Sequence, residues 1–157
     1  MNKFRSGAWA GLLATGPMTL GFFAFQDSMP KSERSPLPPA TLTKQIIGSN
    51  NPDITMASHF GYGLATGVLY SLFTKRDTAH PLLRGTTFGL GVWAASYLGW
   101  IPMFGLRARA PNLTPERNAM MIVSHAIWGL ALGMADYHLQ KSGNEMLKGN
   151  RKAPEGE

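Results

Sequence analysis

The chain has 157 residues, 44% of them hydrophobic, a formal net charge of +6 and no cysteine, and its mean hydropathy is -0.09. Bulk composition fits one ordinary soluble domain, but the charge is unevenly placed. Gly7–Gln26, Ile54–Thr74, Gly85–Leu106 and Asn118–Tyr137 together hold 83 residues and one formal charge, Asp136, while the other 74 residues hold 23. This pattern argues against a soluble domain, a disordered tail, a disulfide scaffold and a nucleic-acid binder, which would carry clustered basic residues on a soluble surface.

A helix crossing the hydrocarbon core needs about 20 apolar residues, and each of the four stretches reaches that length. The buried helices of a soluble bundle would carry a charged face, and these have none. The first stretch, near 7–26, follows Lys3 and Arg5 and is interrupted by Gly16-Pro17. Its apolar run is too long for a cleaved signal, and no small-x-small cleavage site precedes Gln26. It reads as a retained helix kinked at Pro17, where a backbone donor is missing.

The loop from Asp27 to Asp53 contains Pro36-Leu37-Pro38-Pro39, which reads as extended because each proline restricts itself and its predecessor. Residues 40–47 then form a short helix with Leu42, Ile46 and Ile47 on one side, lying on the bilayer surface or capping the bundle. The second span follows near 54–74 and the third near 85–106. Thr114-Pro115-Glu116 is a helix start, with Thr as cap, Pro in the first turn and Glu at the positive dipole end. The fourth helix therefore begins ahead of its span, near 118–137. The expected organisation is an all-α integral membrane four-helix bundle forming a single domain over 1–140, with a flexible polar tail over 141–157.

Glycine points the same way. The four stretches hold 14 of the 18 glycines, at spacings that let helix backbones approach closely in lipid. The expected packing residues are Gly7 and Gly11, Gly63 and Gly67, Gly91-x3-Ala95-x3-Gly99, and Gly129 and Gly133. All tryptophans and tyrosines lie inside the stretches, with Trp9, Tyr70, Trp100 and Tyr137 toward the ends, where interface anchors sit. Four spans put both termini on one side. That side carries nine Lys and Arg against six on the other, which places the termini in the cytoplasm and attributes the positive charge to loops near anionic lipid.

Ionisable residues inside spans mark candidate sites. His59 and His125 start their spans from the same side and lie about 8 and 10 Å deep at 1.5 Å per residue. Each shares a helix face with glycines, and Tyr97 and Trp100 reach the same layer. Two readings follow: a ligand-binding or pH-responsive pair of imidazoles, or two histidines that bond carbonyls or Tyr97 to fasten helices. Asp136, at the cytoplasmic end, reads as an interface carboxylate paired with a base such as Arg5, Lys75 or Arg84. Thr15, Thr19 and Ser124 read as helix-bonding hydroxyls. The sequence holds no G-x-S-x-G, H-E-x-x-H or P-loop motif, so no enzymatic activity, cofactor or metal is expected.

Several ordered motifs carry a resemblance: Gly11-x-x-Ala14-Thr15-x-Pro17-Met18-Thr19, Pro36-Leu37-Pro38-Pro39, His59-Phe60-Gly61-Tyr62-Gly63, Val92-Trp93-x-x-Ser96-Tyr97-Leu98-Gly99-Trp100-x-Pro102, and Arg117-Asn118-x-x-Met121-Ile122-x-x-His125-x-x-Trp128-Gly129. Over Gly7–Tyr137 the chain resembles a group of small bacterial four-span membrane proteins of unknown function, and more distantly the YagU-like inner-membrane proteins. The resemblance implies a bacterial inner membrane, four helices and a special place for His59 and His125.

The expected function is a non-enzymatic integral membrane protein whose polar site, in the outer half of the bundle, binds a partner, lipid or small ligand or responds to pH. Its expected partners are the lipid bilayer and a second copy or another membrane protein, with no nucleic acid. The broken first helix and the glycine stripes leave open a small transporter or channel subunit acting as an oligomer. The paired histidines leave open a haem-binding redox subunit.

Overall fold

The structure is a computed structural model and describes residues 2–29, 37–74, 80–106 and 114–150, with side chains to residue 143. It is all-α, with no strand among the described residues. The elements are α1 (Lys3–Ser28), α2 (Pro38–Ile47), α3 (Pro52–Phe73), α4 (Pro81–Ala94), a π-helical segment (Ala95–Trp100), α5 (Ile101–Met103) and α6 (Pro115–Asn150). Two helices, α1 and α6 over Pro115–Gly143, are long and apolar enough to cross a membrane.

Helix starts follow from local chemistry. Asn2 caps α1 by accepting from the Arg5 amide at 2.9 Å, and Asn51 caps α3 by accepting from the Asp53 amide at 2.8 Å. Prolines occupy the first turns of α2, α3 and α4, where a missing amide costs no intrahelical bond. The proline-rich segment therefore differs from the extended reading. Leu37 is extended, but Pro38 and Pro39 already form the first turn of α2. Pro36 lies outside the described residues, as do Lys31, Arg34, Lys75, Arg76, Arg107 and Arg109 of the charge count. Helix α1 runs unbroken through Pro17, which sits on its exposed face. Helix α6 continues past Gln140 to Asn150, beyond the expected domain end, while 151–157 lie outside the described residues.

The backbones pack as α3 on α1, α1 on α6 and α6 on α4. Glycines set the first and last of these contacts. A Cβ built on Gly7 would stand 2.5 Å from the Gly67 carbonyl oxygen, and one on Gly67 would stand 2.7 Å from the Gly11 Cα. The α4–α6 contact repeats this, with a Cβ on Gly85 standing 2.8 Å from the Gly133 Cα and one on Gly89 standing 2.9 Å from the Gly129 Cα. Real Cβ atoms do not come this close, so only glycine allows these helix pairs. Both pairs are antiparallel, since Gly7 meets Ser71 and Gly11 meets Gly63, while Pro81 meets Gly133 and Gly89 meets His125. Helix α3 meets α4 and the π-helical segment through side chains: the Tyr62 hydroxyl is 3.3 Å from Ser96 Oγ of the π-helical segment, and the Tyr70 and Phe88 rings lie 5.2 Å apart.

The third stretch departs from expectation. Gly91 and Gly99 face open space, and the contact with α6 is made by Gly85 and Gly89 instead. The π segment inserts an extra residue into the helix, and Gly99 has a non-helical backbone (φ -109°, ψ -107°). The four-residue stripe through Gly91, Ala95 and Gly99 is therefore not one helical face.

Small and hydroxylic residues share the helix contacts with a core of large apolar ones such as Phe22, Met121 and Leu132, while many other large apolar residues point out. Ser6, Ser71, Ser124 and Thr15 are almost wholly buried, whereas Leu20, Phe73, Leu83 and Met103 are each at least two-thirds exposed. Several hydroxyls bond back within their own helix, as Thr15 does to the Gly11 carbonyl and Thr19 to the Thr15 carbonyl, both at 2.8 Å. Ser124 differs: its buried Oγ has no hydrogen-bond partner among the described residues. Ser71 joins two helices, donating to the Lys3 carbonyl at 2.7 Å. We expect Ser71→Leu to destabilise the protein by about 3 kcal/mol, through overpacking against Gly7 and loss of this bond. The check is a thermal melt in detergent beside Ser71→Ala, which loses about 1 kcal/mol through the bond alone.

Candidate functional site

Each glycine stripe ends in a larger residue at the same end of the bundle. Four-residue steps lead from Gly67 and Gly63 to His59, from Gly133 and Gly129 to His125, and from Gly7 and Gly11 to Thr15. The face of Gly85 and Gly89 continues as Val92 on α4 and Ser96 in the π-helical segment. Where the glycines stop, the helices no longer close on one another, and a cavity of about 280 Å³ opens. His59, His125, Thr15, Val92 and Ser96 all line it.

The floor is Thr15, Met18 and Phe22 of α1 with His125 and Trp128 of α6. One wall is α3, through Ser58, His59, Tyr62 and Thr66; the other includes Ser96, Tyr97, Trp100 and Ile101. Helix α2 covers the space with Pro38, Leu42 and Ile46. The left-handed Gly48 (φ 75°) ends α2 just before the turn into α3. Leu42, Ile46 and Ile47 of the apolar side of α2 all line the cavity, while Ile46 and Ile47 also remain more than half exposed. Among the described residues, the cavity lining contains no Lys, Arg, Asp or Glu.

The structure thus brings together the four residues expected to share a layer: His59, His125, Tyr97 and Trp100. His125 is buried, and its Nδ1–H donates to the Met121 carbonyl at 2.7 Å, one turn back on its own helix. The Tyr97 ring meets the His125 ring edge-on at 6.3 Å, and its hydroxyl donates to Met121 Sδ at 2.9 Å. Tyr97 thus makes a polar contact between helices here, whereas the His125 bond stays within α6. We expect Tyr97→Phe to cost about 1 kcal/mol in thermal unfolding, because the contact is lost without opening a cavity. The His59 ring lies 6.0 Å from Phe22 and 6.1 Å from Phe60, and its Nε2 is buried with no hydrogen-bond partner among the described residues. Trp100 packs on Tyr62 with ring centroids 6.5 Å apart.

Asp136 lies away from the cavity, toward the other end of α6. Its Oδ2 accepts from Gln140 Nε2 at 2.7 Å, while Oδ1 is buried with no hydrogen-bond partner among the described residues. This partner is an amide of its own helix, and Lys75, one of the bases expected to pair with Asp136, lies outside the described residues.

Sequence reasoning did not single out Tyr62, Thr66, Ser96 or Trp128 as site residues. The signal was present for Ser96 and Trp128, which lie four residues after Val92 and three after His125, next to faces that spacing marks for helix packing. Ser96 needed the Gly85–Gly89 face rather than the Gly91–Gly99 one.

No group of three or more His, Cys, Asp or Glu that would hold a metal ion occurs among the described residues. No curated protein and no solved structure matches the chain. One family does match, over residues 35–134, and it is described as a protein of unknown function. This region includes every cavity-lining residue except the three from α1. The chain belongs to this family, DUF1440.

Proposed function

We propose that this chain is a non-enzymatic integral protein of a bacterial inner membrane. It crosses the bilayer four times and holds one small apolar or lipid ligand in the cavity between α3 and α4. The bilayer reading is supported by an outward-facing apolar surface on all four long segments, with Leu20 and Phe23 on α1, Leu69 and Phe73 on α3, Leu82 and Leu83 on α4, and Leu130 and Met134 on α6. Helix α3, at 22 residues, is about 33 Å long and matches the hydrocarbon core. It lies flush against α1, so a bilayer that encloses α1 encloses α3.

The observation that carries the ligand reading is the convergence of all four long segments and α2 on one cavity whose lining, among the described residues, carries no formal charge. Its volume of about 280 Å³ is near the lower end of small-molecule sites, roughly 300–1,000 Å³. That suits a single chain or a small molecule better than a haem macrocycle.

Trp100 and Trp128 in the lining supply a readout. In a Trp9→Phe background, a medium-chain bromoalkane added to purified protein in nanodiscs should quench tryptophan emission saturably. Ser58→Leu/Thr66→Leu, which fills the cavity from α3, should abolish the saturable component. Quenching that rises without saturation, and equally in both proteins, overturns the ligand reading.

A further inference from the structure

We propose that the occupant is one acyl chain of a bilayer phospholipid, which passes sideways between α3 and the π-helical segment while its head group stays outside the cavity. This rests on the reading of the cavity as a ligand site in a four-crossing bundle, and it names the ligand and its way in.

The order of packing supplies the route. Backbone packing runs from α3 to α1, from α1 to α6 and from α6 to α4. The two ends of that row, α3 and the run of α4 into the π-helical segment, meet through side chains. Tyr70 packs on Phe88, Tyr62 packs on Trp100, and the Tyr62 hydroxyl lies 3.3 Å from Ser96 Oγ. To part a glycine-packed pair, two backbones must separate along their length. To open this seam, a few side chains change rotamer.

Tyr62 is the partition. It lines the cavity and is also 44% exposed, so its side chain touches both the inner space and the outer surface. Ser96, opposite it, is buried and lines the same space. The distance between the two hydroxyls is long for such a pair, which ordinarily sits at about 2.7–2.8 Å. The seam is therefore held shut by ring packing and one weak polar contact.

Depth identifies what waits outside. Tyr62 lies ten residues beyond Pro52 and eleven before Phe73, at the middle of α3. At 1.5 Å per residue this is about 15 Å from either end, the centre of a hydrocarbon core about 30 Å thick. An opening at that depth meets acyl chains and neither water nor head groups. A lipid that turns one chain inward keeps its head group at the interface, so no charge is stripped of its hydration.

Volume sets how much enters. The cavity holds about 280 Å³, just under the roughly 300 Å³ at which ordinary small-molecule sites begin, so it takes part of one chain and excludes a whole two-chain lipid. Met18, Phe22 and Trp128 lie on its floor and are each less than one-tenth exposed. A chain that reaches them has left the lipid around the bundle.

The test uses the full chain in nanodiscs containing a phosphatidylcholine with a photoreactive diazirine midway along one acyl chain. A free medium-chain alkyl diazirine is the second probe, and mass spectrometry identifies the labelled residues. The lipid is expected to label the floor, at Met18, Phe22 or Trp128, as well as outward residues such as Leu20 and Leu130. The seam is then locked. The chain has no cysteine, so Tyr62→Cys/Ser96→Cys is joined specifically by a bismaleimide that a reductant cleaves. Locking should abolish floor labelling by the lipid while outward labelling persists, and cleavage should restore it in the same sample. If this variant takes no floor label before locking, Tyr70→Cys/Phe88→Cys, on the same seam but outside the cavity lining, makes the same comparison. Floor labelling by the lipid that survives both locks overturns the proposed route. Floor labelling by the free alkyl probe but not by the lipid, in the unsubstituted protein, overturns the acyl-chain proposal and leaves the apolar-ligand reading standing. A floor labelled by neither probe overturns both.

Discussion

Gly129→Ala is expected to lower stability by about 3 kcal/mol or more, whereas Gly91→Ala raises it by about 0.5–1 kcal/mol. Both replace a helical glycine by the same residue, and by helix propensity alone both would stabilise. The difference lies in what the new methyl group meets. At Gly129 it would stand 2.9 Å from the Gly85 carbonyl carbon and 3.0 Å from the Thr86 Cα, so α4 and α6 must move apart. Backbone atoms cannot rotate away as a side-chain end does, and separating the helices also forfeits the neighbouring contacts at Gly133, Gly89 and Gly85. At Gly91 there is nothing within 4 Å, so only the backbone-entropy gain remains. The measurement is unfolding of each variant in detergent, by denaturing-surfactant titration or thermal melt. Similar shifts for the two variants would mean that the glycine-to-glycine contact between α4 and α6 is not what holds that pair. Gly63→Ala tests the α1–α3 contact in the same way, since its methyl would run into the Thr15 hydroxyl.

The contrast between Gly91 and Gly129 also marks how far the sequence could be read. The helices were legible because each long apolar stretch lacks both charge and the alternating polarity of a half-buried strand, and Thr114-Pro115-Glu116 announced the start of α6 ahead of its apolar run. Four-residue glycine spacing correctly picked out α1, α3 and α6, where one such pair dominates. The third stretch holds Gly85, Gly89, Gly91 and Gly99, which define two different faces, and spacing cannot choose between them. The π segment deepened the ambiguity, because an extra residue per turn depends on tertiary contacts that no local pattern encodes. The site was legible through the glycines. His59 and His125 lie on the glycine stripes, so whatever brings the glycines together also brings the histidines to one level. The apolar character of the cavity was not legible. It depends on α2 folding over the site, and the sequence left the place of α2 open between the bilayer surface and the bundle.

Because the chain has no cysteine, single cysteines report which ends of the bundle face which side of a membrane. Asn50, His80 and Ser142 are exposed positions in the α2–α3 turn, at the start of α4 and in the last third of α6. Antiparallel packing of α1 with α3 and of α4 with α6 puts His80 and Ser142 at the end of the bundle opposite Asn50. Nine basic residues against six put the His80 and Ser142 end in the cytoplasm. In intact cells, an impermeant maleimide should therefore label Asn50→Cys nearly to completion and leave His80→Cys and Ser142→Cys unlabelled until the cells are opened. His80 separates four crossings from two. If only α1 and α6, the two helices apolar enough by themselves, crossed the bilayer, then α3 and α4 would stay outside and His80→Cys would label together with Asn50→Cys. Labelling of His80→Cys and Ser142→Cys without Asn50→Cys would keep four crossings and reverse the orientation. The reason to expect four is energetic. Leaving α3 and α4 outside would part the glycine-packed contacts along both helix pairs and leave buried hydroxyls such as Ser71 without their partners, and nothing in water would replace that close backbone packing.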